Sequence, residues 1–162
     1  MAGVKPIPEG MHTLTPNLVI RDCAKAIELY KKAFGAQEIS RFMAPDGKSV
    51  WHAELRIGDS MFFMNDEMPG MSRPPPSADA PAPATMWLYV QDTDAAFKRA
   101  VDAGAKATMP PADMFWGDRC GGVVDPSGYA WSFATHVKDL TAEEMRRAGE
   151  EFARSMQQQG SR

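Results

Sequence analysis

Among the 162 residues of this chain, the pair best suited to chemistry is His52 and Glu54. They stand two apart in Val50-Trp-His-Ala-Glu-Leu-Arg-Ile57, where polar and apolar residues alternate as in a half-buried strand. Residues two apart on a strand share a face. An imidazole and a carboxylate so placed can act as acid and base, or as two ligands of a metal ion. The plainer alternative is a histidine satisfied by its neighbouring carboxylate or by Arg56. Two ligands are also fewer than a stable metal site needs.

A second candidate is Trp116-Gly-Asp-Arg119. A tryptophan and an arginine beside a flexible glycine suit an aromatic or anionic ligand. Alternatively, Asp118 and Arg119 pair with each other in a hairpin and Trp116 is core. Cys120 adjoins Arg119, a neighbour that can lower a thiol pKa. No base lies close in sequence, so Cys120 is not read as a nucleophile. Cys23 and Cys120 form no CxxC pair and read as small buried side chains. Met61, Met64, Met68 and Met71 read as core filling or as adaptable pocket wall. His12 and His136 fall at segment edges, facing solvent or reaching in across a dimer.

The elements that must position these residues follow from periodicity. Leu14 to Ile20 reads as a strand and Ala24 to Phe34 as a helix, capped by Asp22 and closed by Gly35. Strands follow at Glu38 to Met43, Val50 to Ile57 and Ser60 to Met64. The stretch 67–84 holds seven prolines and glycines and reads as a linker, with a mobile flap as the other reading. The pattern then restarts. Thr85 to Val90 is a strand, and Asp92 or Asp94 caps a helix buried through Phe97, Ala100 and Val101 and closed by Gly104. Lys106 to Met109 is a strand that Pro110-Pro111 ends. Another lies within Met114 to Val124 around Gly117, and Tyr129 to Thr135 is the last. Gly35-Ala36 recurs as Gly104-Ala105, about 69 residues on, which marks a duplicated module. Thr141-Ala-Glu-Glu144 is a capping box opening a helix that docks through Met145 and Phe152.

Strand parity then assigns faces. Thr15 and Asn17, with His52, Glu54 and Arg56, face one groove together with Thr85, Trp87, Tyr89, Ala130, Ser132 and Ala134. Leu14, Leu18, Ile20, Trp51, Ala53, Leu55 and Ile57 face the helix. Trp116 joins the groove as a wall, with Arg119 or Arg56 as the charge anchor. Aromatic walls with a few polar anchors are the character of a small-molecule site.

The net charge is −3, with no Lys/Arg-rich block, so neither nucleic acid nor a membrane is expected as a partner. No signal-peptide pattern or bilayer-length apolar run occurs, and a cytoplasmic protein is expected.

The repeated strand, helix, three strands, with Ile20-Arg-Asp22, Tyr30-Lys-Lys-Ala-Phe-Gly-Ala36, Gly104 and Asp125-Pro-Ser-Gly128, resembles the glyoxalase/bleomycin-resistance/dioxygenase superfamily (vicinal oxygen chelate fold). Leu14-Thr-Pro-Asn-Leu, His52 to Asp59, Phe115 to Arg119 and Asp139-Leu-Thr-Ala-Glu-Glu look like its PhnB-like branch. The resemblance implies an α+β fold, two βαβββ modules curling into an open barrel, plus the C-terminal helix. It implies one domain at residues 12–138, with modules at 12–66 and 85–138 around the linker 67–84. A helix at 139–157 and a disordered tail at 158–162 complete the chain. In metal-using relatives a His or Glu on each of four central strands holds a divalent ion. Those positions fall here at Thr15, Phe63, Thr85 and Ser132, so no metal and no cofactor are expected. The resemblance also implies a homodimer. Three functions stay open: a metal-free binder sequestering or processing a small aromatic or anionic compound; a metal-dependent lyase, isomerase or dioxygenase with ligands at unusual positions; and a metal-free enzyme with His52 as general base.

Overall fold

A computed structural model describes residues 4–77 and 79–159. The first module comprises β1 (Asn17–Ile20), α1 (Cys23–Phe34), β2 (Gln37–Met43), β3 (Val50–Ile57) and β4 (Ser60–Asp66). The second comprises β5 (Thr85–Tyr89), α2 (Thr93–Asp102), β6 (Lys106–Asp113), β7 (Asp118–Val124) and β8 (Ala130–His136). Each forms a four-stranded sheet, in the order β1-β4-β3-β2 and β5-β8-β7-β6. In both, the first strand runs parallel to the last and the other pairings are antiparallel. The sheets stay open rather than closing into a barrel, and the fold is α+β with two βαβββ modules.

Each crossover helix starts at a carboxylate. Asp22 accepts from the Lys25 amide and Asp92 from the Ala95 amide, supplying orphan donors of the first turn. Asp92, and not Asp94, is therefore the cap of α2.

The two modules share one core. Phe34 of α1 stacks on Trp131 of β8, ring centroids 4.1 Å apart, and Tyr30 meets the same indole edge-on at 5.1 Å. Tyr30 also touches Phe62 on β4, so α1 is packed between the two sheets. α1 and α2 are in contact as well. A buried carboxylate locks this junction. Asp125 accepts from the Tyr30 hydroxyl at 2.6 Å, from Trp131 Nε1 at 2.9 Å, and from the Ser127 and Tyr129 amides. Because the helix layer lies between the sheets, each sheet turns its other face outward.

Several details differ from the sequence expectations, among them Val101, which is exposed and not part of the buried face of α2. β1 is short: it begins at Asn17, and Leu14, expected under the helix, is 85% exposed. Pro16 precedes the ladder, where only its carbonyl is used, accepting from Phe63. β3 carries a bulge at Trp51, because Phe42 opposes His52 while Met43 opposes Val50. The extra residue breaks the alternation. Val50 is buried, and Trp51 turns out, 44% exposed, against Phe42 instead of under α1. β6 runs through Pro110 and Pro111 to Asp113, because an edge strand with register shifts tolerates missing donors. Gly117 lies in the β6–β7 turn with φ +96, and β7 starts only at Asp118.

α3 (Ala142–Gln159) opens with the expected capping box, Glu144 accepting from the Thr141 amide and Thr141 accepting from the Glu144 amide. Its first half sits against the β6–β7 turn. A Cβ on Gly149 would meet Phe115, and Phe152 stacks on that ring at 5.2 Å. Met156, one helical stretch further, is exposed. Residues 158 and 159, expected in the tail, continue the helix, and residues 160–162 lie outside the described residues. The lead-in to α3 crosses Gly117 so closely that a Cβ there would collide with the Lys138 carbonyl. The proline-rich segment is likewise pinned over Gly128, whose carbonyl accepts from the Ala82 amide. Among the described residues no helix is long and apolar enough to cross a membrane.

Candidate functional site

Parity and packing define the outer face of the second sheet. Phe97 of α2 approaches Gly121, and Thr135 bonds to Thr93 of α2, so these residues mark the inner face. Their sequence neighbours Cys120, Gly122, Ala134 and His136 therefore lie on the outer face. Thr85, Trp87 and Tyr89 alternate with the half-buried Met86 and Leu88 and share that outer face. Trp87 is 46% and Tyr89 70% exposed, their ring centroids 6.5 Å apart. Ser132 lies opposite Trp87 and Ala134 opposite Tyr89. The result is an exposed aromatic pair, with Ser132 half-buried beside Trp87 and Ala134 buried beneath Tyr89.

Tyr89 donates its hydroxyl to Asp118 at 3.3 Å. β8 lies between their strands, so the side chain crosses it above Ala134. Asp118 is buried and collects two more groups: Trp116 Nε1 donates at 3.1 Å and His136 Nδ1 lies at 2.7 Å. His136 Nε2 lies 3.0 Å from Asp139, whose side chain is fully exposed. Hydrogen bonding to Asp118, and then to Asp139, raises the His136 pKa above the ordinary histidine value. Tyr89 and Trp116 are thus brought together, on a carboxylate that sequence reasoning had paired with Arg119. His136 was also missed. It continues the parity of Ser132 and Ala134, and extending the last strand by one residue would have revealed it.

Arg119 lies on the inner face and pairs with Asp94 of α2 and with Asp113 of β6. It is a brace between strand and helix, not part of the outer face, because it shares the parity of Gly121, which faces Phe97 of α2. Cys120 consequently gains no help from it. Burial and the Asp118 charge raise that thiol, and burial pushes Cys23 up to about 12, so both free cysteines are poor nucleophiles.

The first-module candidates occupy the other sheet. His52 Nε2 lies 3.6 Å from Glu54 Oε1, beyond hydrogen-bond reach, with its ring 4.8 Å from Phe63. Trp51, Phe42, Met68 and Met71 join His52 around a cavity of about 610 Å³. Arg56 is engaged with Gln37 at 2.7 Å. Asn17 is exposed at the start of β1, and the Thr15 hydroxyl donates to the His12 carbonyl. The two sets approach only at a cavity of about 310 Å³ between the modules, where Thr85 and Trp87 face Leu14, Pro16 and Met61. At the positions of the usual metal ligands, Thr15, Phe63, Thr85 and Ser132 offer hydroxyls and a phenyl ring, which do not fit a His/carboxylate metal site. Among the described residues no group of three or more His, Cys, Asp or Glu is placed to hold a metal ion.

The family model for the Glyoxalase/Bleomycin resistance protein/Dioxygenase superfamily matches residues 11–133. The chain belongs to this superfamily. It is 42% identical over 139 residues to the uncharacterized protein Rv0887c of Mycobacterium tuberculosis, covering 83% of this chain and 81% of that one. The uncharacterized Arabidopsis thaliana protein At5g48480 is 34% identical over 127 residues, covering 73% and 74%. The X-ray structure of that gene product superposes with a TM-score of 0.62 at 30% identity, over 76% of this chain and 98% of that one. TioX from Micromonospora sp. ML1 superposes with a TM-score of 0.63 at 25% identity, over 78% and 99%.

Proposed function

We propose that this superfamily member is a metal-free small-molecule-binding protein of the cytoplasm, working as a homodimer, that sequesters or processes a small aromatic compound. The observation that carries this reading is the Trp87–Tyr89 pair, exposed on the outer face of the second sheet beside Ser132 and Ala134. Exposed aromatic surface of this kind marks binding sites, and an exposed ring suits stacking. The PhnB-like branch is assigned on the motifs at Leu14–Leu18, His52–Asp59 and Phe115–Arg119. Equilibrium dialysis with 1-naphthoate and its neutral amide tests the platform. Trp87→Ala is expected to weaken both by about tenfold, the order of one aromatic stack. Trp51→Ala is expected to leave both unchanged. Elemental analysis of protein purified without chelator or affinity tag is expected to find far less than one transition metal per chain; near one equivalent would overturn the metal-free reading.

A second reading rests on His52. It lines the cavity shared with Trp51 and Phe42, with Glu54 at 3.6 Å, and there it would act as a general base without metal. A larger effect of Trp51→Ala than of Trp87→Ala would favour it.

A further inference from the structure

The outer face of the second sheet carries an asymmetric arrangement around one imidazole. On one side His136 Nδ1 meets Asp118, a buried carboxylate that also accepts from Tyr89 and Trp116. That side is fixed: donors from β5, from the β6–β7 turn and from β8 converge on it. On the other side Nε2 meets Asp139, fully exposed in the loop before α3. An exposed ion pair between residues three apart contributes little stability and opens readily. Asp139 is thus a carboxylate presented by the chain itself at a position an external carboxylate can take.

Orientation and charge are both already in place. With Nδ1 directed at Asp118, the proton on Nε2 points outward. An imidazole that donates from both nitrogens is an imidazolium, and the raised His136 pKa agrees with that form. Neither arginine once considered as an anchor is available, since Arg119 is braced against Asp94 and Asp113 and Arg56 is held by Gln37. One N–H without a guanidinium fork matches a singly charged carboxylate better than a phosphate. The ring attached to that carboxylate would lie on the side of Tyr89, whose hydroxyl shares Asp118 with His136.

We infer that His136, oriented by Asp118, is the charge anchor of the ligand face and binds aromatic carboxylates in the position occupied by Asp139, with the ring packed on the Tyr89 side of that face. This inference rests on the proposed use of that face, and it assigns to His136 the anchoring role that Arg119 cannot fill. Asp118 and Tyr89 are positioning residues for it.

The test compares 1-naphthoate with 1-naphthamide on the full chain and its variants by equilibrium dialysis. The natural chain should prefer naphthoate by about tenfold, the order of one charge-assisted hydrogen bond. His136→Gln should lower naphthoate affinity to that of the amide and leave the amide unchanged, which also shows that the face is intact. Asp139→Ala should tighten naphthoate by about two- to fivefold, the scale of one surface ion pair removed as competitor, again without moving the amide. A purely structural latch would not give opposite signs for the two substitutions. Equal affinity for acid and amide in the natural chain, or His136→Gln weakening both alike, overturns the anchor while leaving the aromatic platform standing. Failure of both compounds to bind, or indifference of both to Trp87→Ala, removes the platform and the anchor with it.

Discussion

Asp118 shows how one side chain organises its surroundings. A buried carboxylate leaves water only if its lone pairs are met elsewhere, and here a phenol, an indole and an imidazole meet them. The imidazole makes the arrangement pH-dependent. The folded state raises the His136 pKa, with Asp118 the larger cause and Asp139 the second. A group whose pKa is raised on folding contributes stability in full below its unfolded value and loses it as pH rises through the folded one. Asp118→Asn should therefore return the His136 pKa toward the ordinary histidine range in an NMR titration. It should also flatten the fall in urea midpoint from that range upward. An unchanged titration would show that Asp139 alone sets the shift. At this scale the sequence placed part of the candidate face. Trp87 and Tyr89 were legible because parity on a regular five-residue strand is local information. The hub was not. Asp118 and Arg119 are adjacent, and the register of β7 against β8 decides which faces outward.

At the scale of elements, the duplicated order was legible because helix and strand periods differ and the glycine punctuation repeats. What escaped depended on partners. Pro110 and Pro111 end a strand that must donate on both sides, but β6 has a neighbour on one side only. The bulge at Trp51 exists only in the pairing of β3 with β2. α3 was readable from its capping box and apolar spacing, yet how much of it docks was not. Phe115 is covered by Gly149 and Phe152, while Met156 stands clear. Truncation after Asp139 should expose Phe115 at a cost of about 1–3 kcal/mol. That corresponds to a fall in melting temperature of several degrees, at roughly 2–4 °C per kcal/mol for a domain of this size. An unchanged melting temperature and oligomeric state would show that the helix contributes nothing to either.

At the scale of the molecule, one core serves both modules. Trp131 of the second module is packed among Tyr30, Phe34 and Phe62 of the first. Trp131→Ala should therefore cost about 3–5 kcal/mol, the usual loss for a buried aromatic. The natural chain should unfold in one transition, with near- and far-ultraviolet circular dichroism coincident. Two separated transitions would mean that the modules are independently stable. Helices and inner faces are thereby committed to joining the two halves.

That junction has a consequence on the ribosome. The Tyr30 hydroxyl finds Asp125 across 95 residues of chain. At synthesis rates of about 5–20 residues per second, α1 waits roughly 5–20 s for the residues that cover it. During that interval Tyr30 and Phe34 can be shielded only by the first module's own sheet or by a chaperone. A single unfolding transition would mean that the duplication does not yield two units folding in turn, and that the vulnerable period of this protein is its own birth.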